Sequence, residues 1–242
     1  MAVQSAQLVF CGDYCYESDE IPNASIKDLA DFVGLEESRD LMFSAGGTRP
    51  IRIHPKTPEL LEFWKENCRE CYGPEAEPAE EDILLVSSTL LQFPGLKMTN
   101  NVMNGVKTVA TSKDNLVEYR AYLVAEMQET KGAPPVVWLY NKLTGADKRP
   151  KGQFCRSQAM GRSWISVVPK GKGYALKWDV QLNVKVEFPS ALLKILPTSV
   201  EKMEEQGGSS VRKAVQTDVD LAASKVLEAF AAWQTSQPLA SR

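Results

Sequence analysis

Hydrophobic and polar positions along the chain change period near residue 82. Before it, apolar residues recur at helical spacing. Ile26, Leu29, Ala30 and Val33 stand at 0, 3, 4 and 7, which predicts an amphipathic helix over 26–33. Ser25 is its N-cap, Asp28 completes an imperfect capping box, and Gly34 is a C-terminal stop. Thr57-Pro58 opens a second helix that runs to about Tyr72 and ends at Gly73-Pro74. The stretch 6–11 (AQLVFC) reads as a first strand, and Ile51–Ile53 as a short one.

From Asp82 onward alternation dominates. Ile83–Leu91 is a predicted strand. Thr99–Met103 and Val106–Thr111 flank Asn104-Gly105, a dipeptide suited to a two-residue hairpin. Leu116–Gln128 and Val136–Leu143 follow as strands, then Phe154–Val168 and Gly173–Phe188. In 174–188, Tyr174, Leu176, Trp178, Val180, Leu182, Val184, Val186 and Phe188 alternate with mostly polar residues, the signature of a strand with one wet face. At roughly 3.3 Å per residue it would reach about 50 Å, so it must bend around something. The tail supplies a partner. After Gly207-Gly208, Ser209 or Ser210 caps a predicted helix to about Trp233, with Val211, Val215, Val219, Ala222, Val226, Ala229 and Trp233 in one stripe. This helix is expected to pack across the concave face of a single antiparallel sheet formed by 83–188.

The pattern therefore predicts one α+β domain over 1–242, with 74–82 as an acidic internal linker, 142–153 and 169–173 as basic loops and 234–242 as a flexible tail. The chain is long enough to bury a sizeable core without disulfides or metals. Hydrophobic content of 43% and charged content of 24% are those of an ordinary globular protein. Apolar runs such as Ile83–Val86 and Val136–Tyr140 are strand-sized, so a soluble protein without a transmembrane helix is expected. Met1–Glu20 has neither the basic region of a leader nor its apolar core. Charge is polarised: residues 1–82 hold 18 acids and 7 bases, whereas 83–242 hold 13 acids and 21 bases.

Candidate chemistry is sparse. Five cysteines, Cys11, Cys15, Cys68, Cys71 and Cys155, are read as reduced thiols. Cys11 with Cys15 and Cys68 with Cys71 could form a four-thiolate zinc site, but Leu60, Leu61, Trp64, Cys68 and Cys71 follow one helical face, which favours packing over metal or redox roles. His54 is the single histidine and has no nucleophile motif beside it. No catalytic residue, metal or cofactor is assigned.

Two binding signals remain. The aromatic residues Tyr119, Tyr122, Trp138, Tyr140, Trp164 and Trp178 lie on predicted strands, as packed core or as the lining of an apolar pocket. Within 142–172, Lys142, Lys148, Arg149, Lys151, Arg156, Arg162, Lys170 and Lys172 face a single acid, Asp147. This is either a solubilising surface or a rim for an anionic protein, a phosphorylated ligand or membrane headgroups. Nucleic acid is disfavoured by the acidic N-terminal region.

The stretch FPGLKM at 93–98, the long strand 174–188 and FPSALLKILPTSVEKMEEQGG, followed by a helix ending in FAAW, resemble an uncharacterised plant, algal and cyanobacterial family. That family lies within the START-like, polyketide-cyclase-like superfamily. The motifs are Pro189, Leu196-Pro197, Gly207-Gly208 and Trp233; they span residues 83–233, and 142–156 reads as an insertion. The resemblance implies a helix-grip fold, a long curved antiparallel sheet around a long C-terminal helix with two short N-terminal helices. It also implies a plastid location, at the stroma or the thylakoid surface, as against a cytoplasmic one. It implies an apolar cavity, here expected to be lined by Tyr119, Leu123, Trp138, Tyr140, Trp164, Trp178, Leu182, Val219 and Val226. Such a cavity suits a non-enzymatic carrier of a lipid, pigment or similar molecule. Two alternatives stay open: an accessory subunit docking through charged surfaces, and a cyclase- or hydrolase-like enzyme using the cavity.

Overall fold

A computed structural model describes residues 5–93, 96–111, 116–144, 150–157, 159–189 and 199–236. The elements are β1 (Ser5–Glu17), α1 (Ile26–Val33), α2 (Glu36–Phe43), β2 (Ile51–His54), α3 (Pro58–Asn67), β3 (Ile83–Phe93), β4 (Leu96–Thr111) and β5 (Leu116–Gly132). They continue with α4 (Pro134–Thr144), β6 (Cys155–Arg156), β7 (Met160–Lys170), β8 (Gly173–Pro189) and α5 (Val200–Ser236). The strands form one curved antiparallel sheet in the order β1-β8-β7-β5-β4-β3-β2, with β6 pairing onto β5. With α5 gripping the sheet and short helices near the N-terminus, the architecture is the helix-grip fold.

Strand alternation divides the apolar side chains between two faces. On the inner face, Leu85, Val106, Tyr119, Ala121, Ile165, Val167, Leu176 and Trp178 form one buried cluster with Leu29, Phe32 and Val33 of α1 and with α5. The α5 contribution is Val215, Val219, Ala223, Val226 and Phe230, so the stripe read from the sequence does face the sheet. On the outer face, Leu84, Val86, Met103, Tyr122, Val124 and Ala125 pack beneath Leu60, Trp64, Cys68 and Tyr72. The sheet is therefore covered on both sides, by α3 outside and by α1, α2 and α5 inside.

Several sequence expectations are corrected here. Asn104-Gly105 is not a hairpin. β4 runs straight through it, with a register shift against β5 at Met103/Asn104. The glycine serves packing: a Cβ at Gly105 would overlap the Trp64 ring, so the missing side chain is the seat for a tryptophan. Val136–Leu143 lies within a helix, not a strand, and Pro134-Pro135 suit a helix start. The final helix begins at Val200 and passes through Gly207-Gly208. Tertiary contact overrides the glycines' low propensity, since Cβ atoms there would meet the Phe10 ring and, at 2.8 Å, the Cys11 carbonyl oxygen. β1 extends to Glu17, and α2 is an additional helix whose pattern was too short to read.

The acidic segment 74–82 is held to its neighbours by hydrogen bonds and an ion pair. Asp82 is buried and pairs with Lys107 Nζ at 2.7 Å. Lys107 also donates to the Glu77 carbonyl, and Lys56 to the carbonyls of Glu80 and Asp82. The first helix fits its expectation: Ser25 Oγ accepts from Asp28 N–H at 3.0 Å, and Asp28 Oδ2 accepts from Ser25 N–H, a complete capping box.

The α3 face also shifts. A π-turn over Cys68–Tyr72, closed by Gly73 N–H to Cys68 O at 2.9 Å, inserts one residue into the stripe. Tyr72 takes the buried slot expected for Cys71, which is exposed. Cys68 is buried, and its burial pushes the thiol up to about 11.

α5 lies mainly along β1, an edge strand, and against α2. Gly12 gives it room, since a Cβ there would stand 2.6 Å from Val211 Cγ1. Glu204 Oε1 accepts the Val9 N–H at 2.8 Å, and Tyr14 OH donates to Asp220 at 2.7 Å. That bond pushes the Tyr14 phenol up to about 12. The helix thus supplies partners along a strand edge that would otherwise be exposed.

Candidate functional site

A cleft lies between the C-terminal end of α5 and the segment joining β1 to α1. Its volume is about 950 Å³. Ile21, Leu227, Phe230 and Trp233 supply apolar surface, and Tyr16 lines one side. The aromatic floor is held rigidly. Phe32 packs edge-on against Phe230, with centroids 5.2 Å apart, and Phe230 stacks on Trp233 at 6.0 Å. Tyr16 meets Trp178 edge-on at 5.8 Å, which ties the cleft wall to the sheet core. Burial raises the Tyr16 phenol, and Asp220 and Asp19 add to the effect.

The rim is acidic. Asp19, Glu20, Asp28 and Asp31 surround the opening, with Lys27 as the one cation among the described lining residues. Asp28 is also engaged in the α1 cap. Gln234 Nε2 donates to the Asn23 carbonyl at 3.3 Å, joining the two sides of the cleft. Local sequence explains the shape: Asn23 adopts a left-handed φ of 56°, turning the chain between Ile21, which is buried, and the capped start of α1.

Among the described residues, none of the nine expected lining residues borders this cleft. Tyr119, Leu123, Trp178, Val219 and Val226 are each 7% exposed or less. Tyr119, Trp178, Val219 and Val226 pack against one another's neighbours in the inner core, where Tyr119 OH donates to the Val33 carbonyl at 2.7 Å. Leu182 packs partly buried against the same core. Trp164 sits on β7 between two guanidinium groups, Arg162 at 4.9 Å and Arg120 at 5.3 Å from its ring centroid. Trp138 is on α4 and 63% exposed, and the side chain of Tyr140 lies outside the described residues. The sequence did carry a signal for the cleft: Phe230 and Trp233 three residues apart at the end of the stripe, facing an acidic stretch at 19–31.

The basic set disperses in space. Arg156 lies on β6 with Glu66, Glu70 and Asn67 Oδ1, the last at 2.7 Å. Its hydrogen bond holds the Glu70 carboxyl below the usual range. Lys170 donates to the Ser18 carbonyl at 2.6 Å and pairs with Glu17 at 3.2 Å. Lys151 and Lys172 are exposed, while Lys148 and Arg149 lie outside the described residues. A smaller polar cleft of about 320 Å³ on the outer face is lined by Asn67, Glu70, Tyr72, Arg156 and Lys185 among others.

His54 Nδ1 lies 2.9 Å from the Pro55 carbonyl, and its ring meets Phe154 edge-on at 5.5 Å. Among the described residues no group of three or more His, Cys, Asp or Glu side chains could hold a metal ion, and no helix is long and apolar enough to cross a membrane.

No family model and no curated protein matches the sequence. Among solved structures, a norcoclaurine synthase point mutant from Thalictrum flavum aligns over 94% of this chain and 98% of its own, at 14% identity and a TM-score of 0.31. The protein Mll3558 from Rhizobium loti aligns over 88% of this chain and 98% of its own, at 9% identity and a TM-score of 0.28. The architecture described above rests on the strand order and the placement of α5 rather than on these likenesses.

Proposed function

We propose that the protein binds, without chemistry, an apolar ring-containing small molecule in the cleft between α1 and the end of α5. The observation that carries this reading is the cleft itself, about 950 Å³ with Phe230 and Trp233 in its floor. That volume suits a drug-sized molecule, and aromatic walls with a few polar groups are the usual composition of such a site. The rim carboxylates Asp19, Glu20 and Asp31 favour a neutral or cationic ligand over an anionic one.

Catalysis is the weaker reading of the same cleft. Its lining has no histidine or cysteine, and the Ser25–Asp28 hydroxyl–carboxylate pair serves the α1 cap. Tyr119, Trp178, Val219 and Val226, expected from the sequence to line a site between sheet and helix, belong to the buried inner cluster.

The test is titration with a neutral solvatochromic dye, Nile red, and with the anionic anilinonaphthalene sulfonate. Nile red should bind with a dissociation constant in the micromolar range, about −8 kcal/mol, and Trp233→Ala should weaken it about tenfold. The anionic dye should bind more weakly, and Asp19→Asn with Asp31→Asn should narrow that difference. Nile red binding that is absent, or indifferent to Trp233→Ala, would overturn the reading.

A further inference from the structure

The end of the sheet where β3, β4 and β5 terminate carries uncovered apolar and basic side chains together. Leu90 of β3 is 56% exposed. It stands in a ladder row with Thr99 and Glu129, and two residues nearer the tip, on the same face by strand alternation, is the row Gln92, Lys97 and Lys131. Lys97 and Lys131 are cross-strand partners, and both are exposed. Like charges directly opposite in a sheet repel, so this row is electrostatically unfavourable in isolation.

α4 leaves β5 directly after this row, and Thr130 Oγ1 donates to Asn141 Oδ1 at 3.3 Å, tying the helix back to the strand. The helix shows Val136 at 38% and Trp138 at 63% exposure, the latter the most exposed large hydrophobic side chain among the described residues. In the sequence, 131–151 carries Lys131, Lys142, Lys148, Arg149 and Lys151 against Asp147, within a chain whose net charge is −3. The two exposed lysines of this row, near an exposed tryptophan, call for a partner that is both anionic and able to accept an indole.

We propose that this end of the sheet, the Lys97–Lys131 row together with α4, docks on the surface of an anionic lipid bilayer. A bilayer interface supplies both requirements at once. Tryptophan partitions to the headgroup level, where its ring is apolar and its N–H stays wet. Anionic headgroups attract basic side chains within a Debye length, and α4, 11 residues long with Val136 and Trp138 exposed, is too short to cross a bilayer. The like-charged lysine row, unfavourable in water, becomes favourable against phosphate. An acidic protein would satisfy the lysines but has no general reason to take up Trp138, so the lipid surface accounts for more of the arrangement.

Sedimentation of the full chain with phosphatidylcholine vesicles, with and without phosphatidylserine, tests the proposal. Binding should require phosphatidylserine and fall as salt rises. Lys97→Gln with Lys131→Gln should weaken it about 30-fold, from the usual contribution of a basic side chain near an anionic surface. Trp138→Ala should weaken it at least fivefold. Brominated lipid should quench the wild type more than Trp138→Phe, which leaves the four other tryptophans in place. Unchanged thermal melting of these surface variants would show that folding is intact. Absence of vesicle binding, as for docking on an acidic protein, or binding indifferent to Trp138→Ala, would overturn it.

Discussion

The Tyr72 hydroxyl accepts the Gly161 N–H at 3.0 Å, while its single proton faces the carbonyls of Gly161 and Leu123, both at 3.1 Å. It stands where the ladder between β5 and β7 ends at Tyr122–Arg162. Beside it, Asn67 Nδ2 donates to the Leu123 and Val124 carbonyls, each at 3.1 Å. Two side chains from the outer layer thus take over hydrogen bonds that a continuing ladder would make. The strands separate, and β6 pairs with β5 in place of β7. Asn67 and Tyr72 are buried, so leaving these polar groups unpaired would cost stability.

Tyr72→Phe removes this substitute without emptying the ring's place against Tyr122, 5.1 Å away. The expected loss is about 1–2 kcal/mol, the cost of leaving buried backbone groups short of a partner. Urea unfolding measures it. Amide exchange at Gly161 should accelerate well before global unfolding. A variant as stable as the wild type would show that water replaces the hydroxyl at no cost.

The Trp64 ring rests on Gly105, so size at one position is coupled to size at the other. Gly105→Ala should destabilise by roughly 2 kcal/mol through overpacking. Trp64→Leu alone should cost about 2–3 kcal/mol through lost burial. In the double variant the alanine should cost little, giving a coupling of 1 kcal/mol or more in a double-mutant cycle. Additive effects would show that the ring and the glycine do not touch.

What the sequence discloses follows from which interactions are local. The alternation of Tyr174, Leu176, Trp178, Val180 and Leu182 and the Val215–Val226 stripe are periodic, and both describe the real inner face. The capping box at Ser25 is local chemistry and is present. The failures share one cause. Gly105, Gly207 and Gly208 were read as backbone punctuation, yet each is there so that a distant group, Trp64, Phe10 or Cys11, can come close. A glycine in sequence cannot say whether it bends the chain or admits a neighbour. The cleft was only partly legible, for a similar reason. Its floor and rim come from residues 16–31 and 227–235, which meet only through the fold.

Alkaline pH should weaken the protein in a defined window. Burial pushes the Tyr72 phenol up to about 12 from an ordinary value of 10.0. The native state therefore keeps a proton that the unfolded chain releases near pH 10. This contribution is fully present below pH 10 and is lost as pH rises toward 12. About 3 kcal/mol is at stake for Tyr72, two pH units at 1.36 kcal/mol each. Urea midpoints at pH 9, 10, 11 and 12 should fall, and Tyr72→Phe should flatten the fall. Absorbance at 295 nm would contradict this if all seven tyrosines ionised near pH 10 in folded protein.

The seam between α5 and β1 sets two effects against each other at Gly208. Replacing a glycine inside a helix by alanine ordinarily stabilises by about 1 kcal/mol. Here the new Cβ would stand 2.8 Å from the Cys11 carbonyl oxygen, a backbone atom that cannot rotate aside. Moving α5 away from β1 would stretch the bond from Val9 N–H to Glu204, now 2.8 Å, and the one from Tyr14 to Asp220, now 2.7 Å. Overpacking of this kind costs about 1–3 kcal/mol, and the lost bonds add to it. Gly208→Ala should therefore be destabilising on balance, by about 1–2 kcal/mol. Ser209→Ala, one residue on and exposed, should be neutral or slightly stabilising and serves as the control. Thermal melting separates the cases, at 2–4 °C per kcal/mol for a chain of this size. Light scattering adds a second reading, because an uncovered β1 edge invites strand pairing between molecules. A Gly208→Ala protein that melts higher than the wild type would show that propensity, not the approach to β1, governs this position.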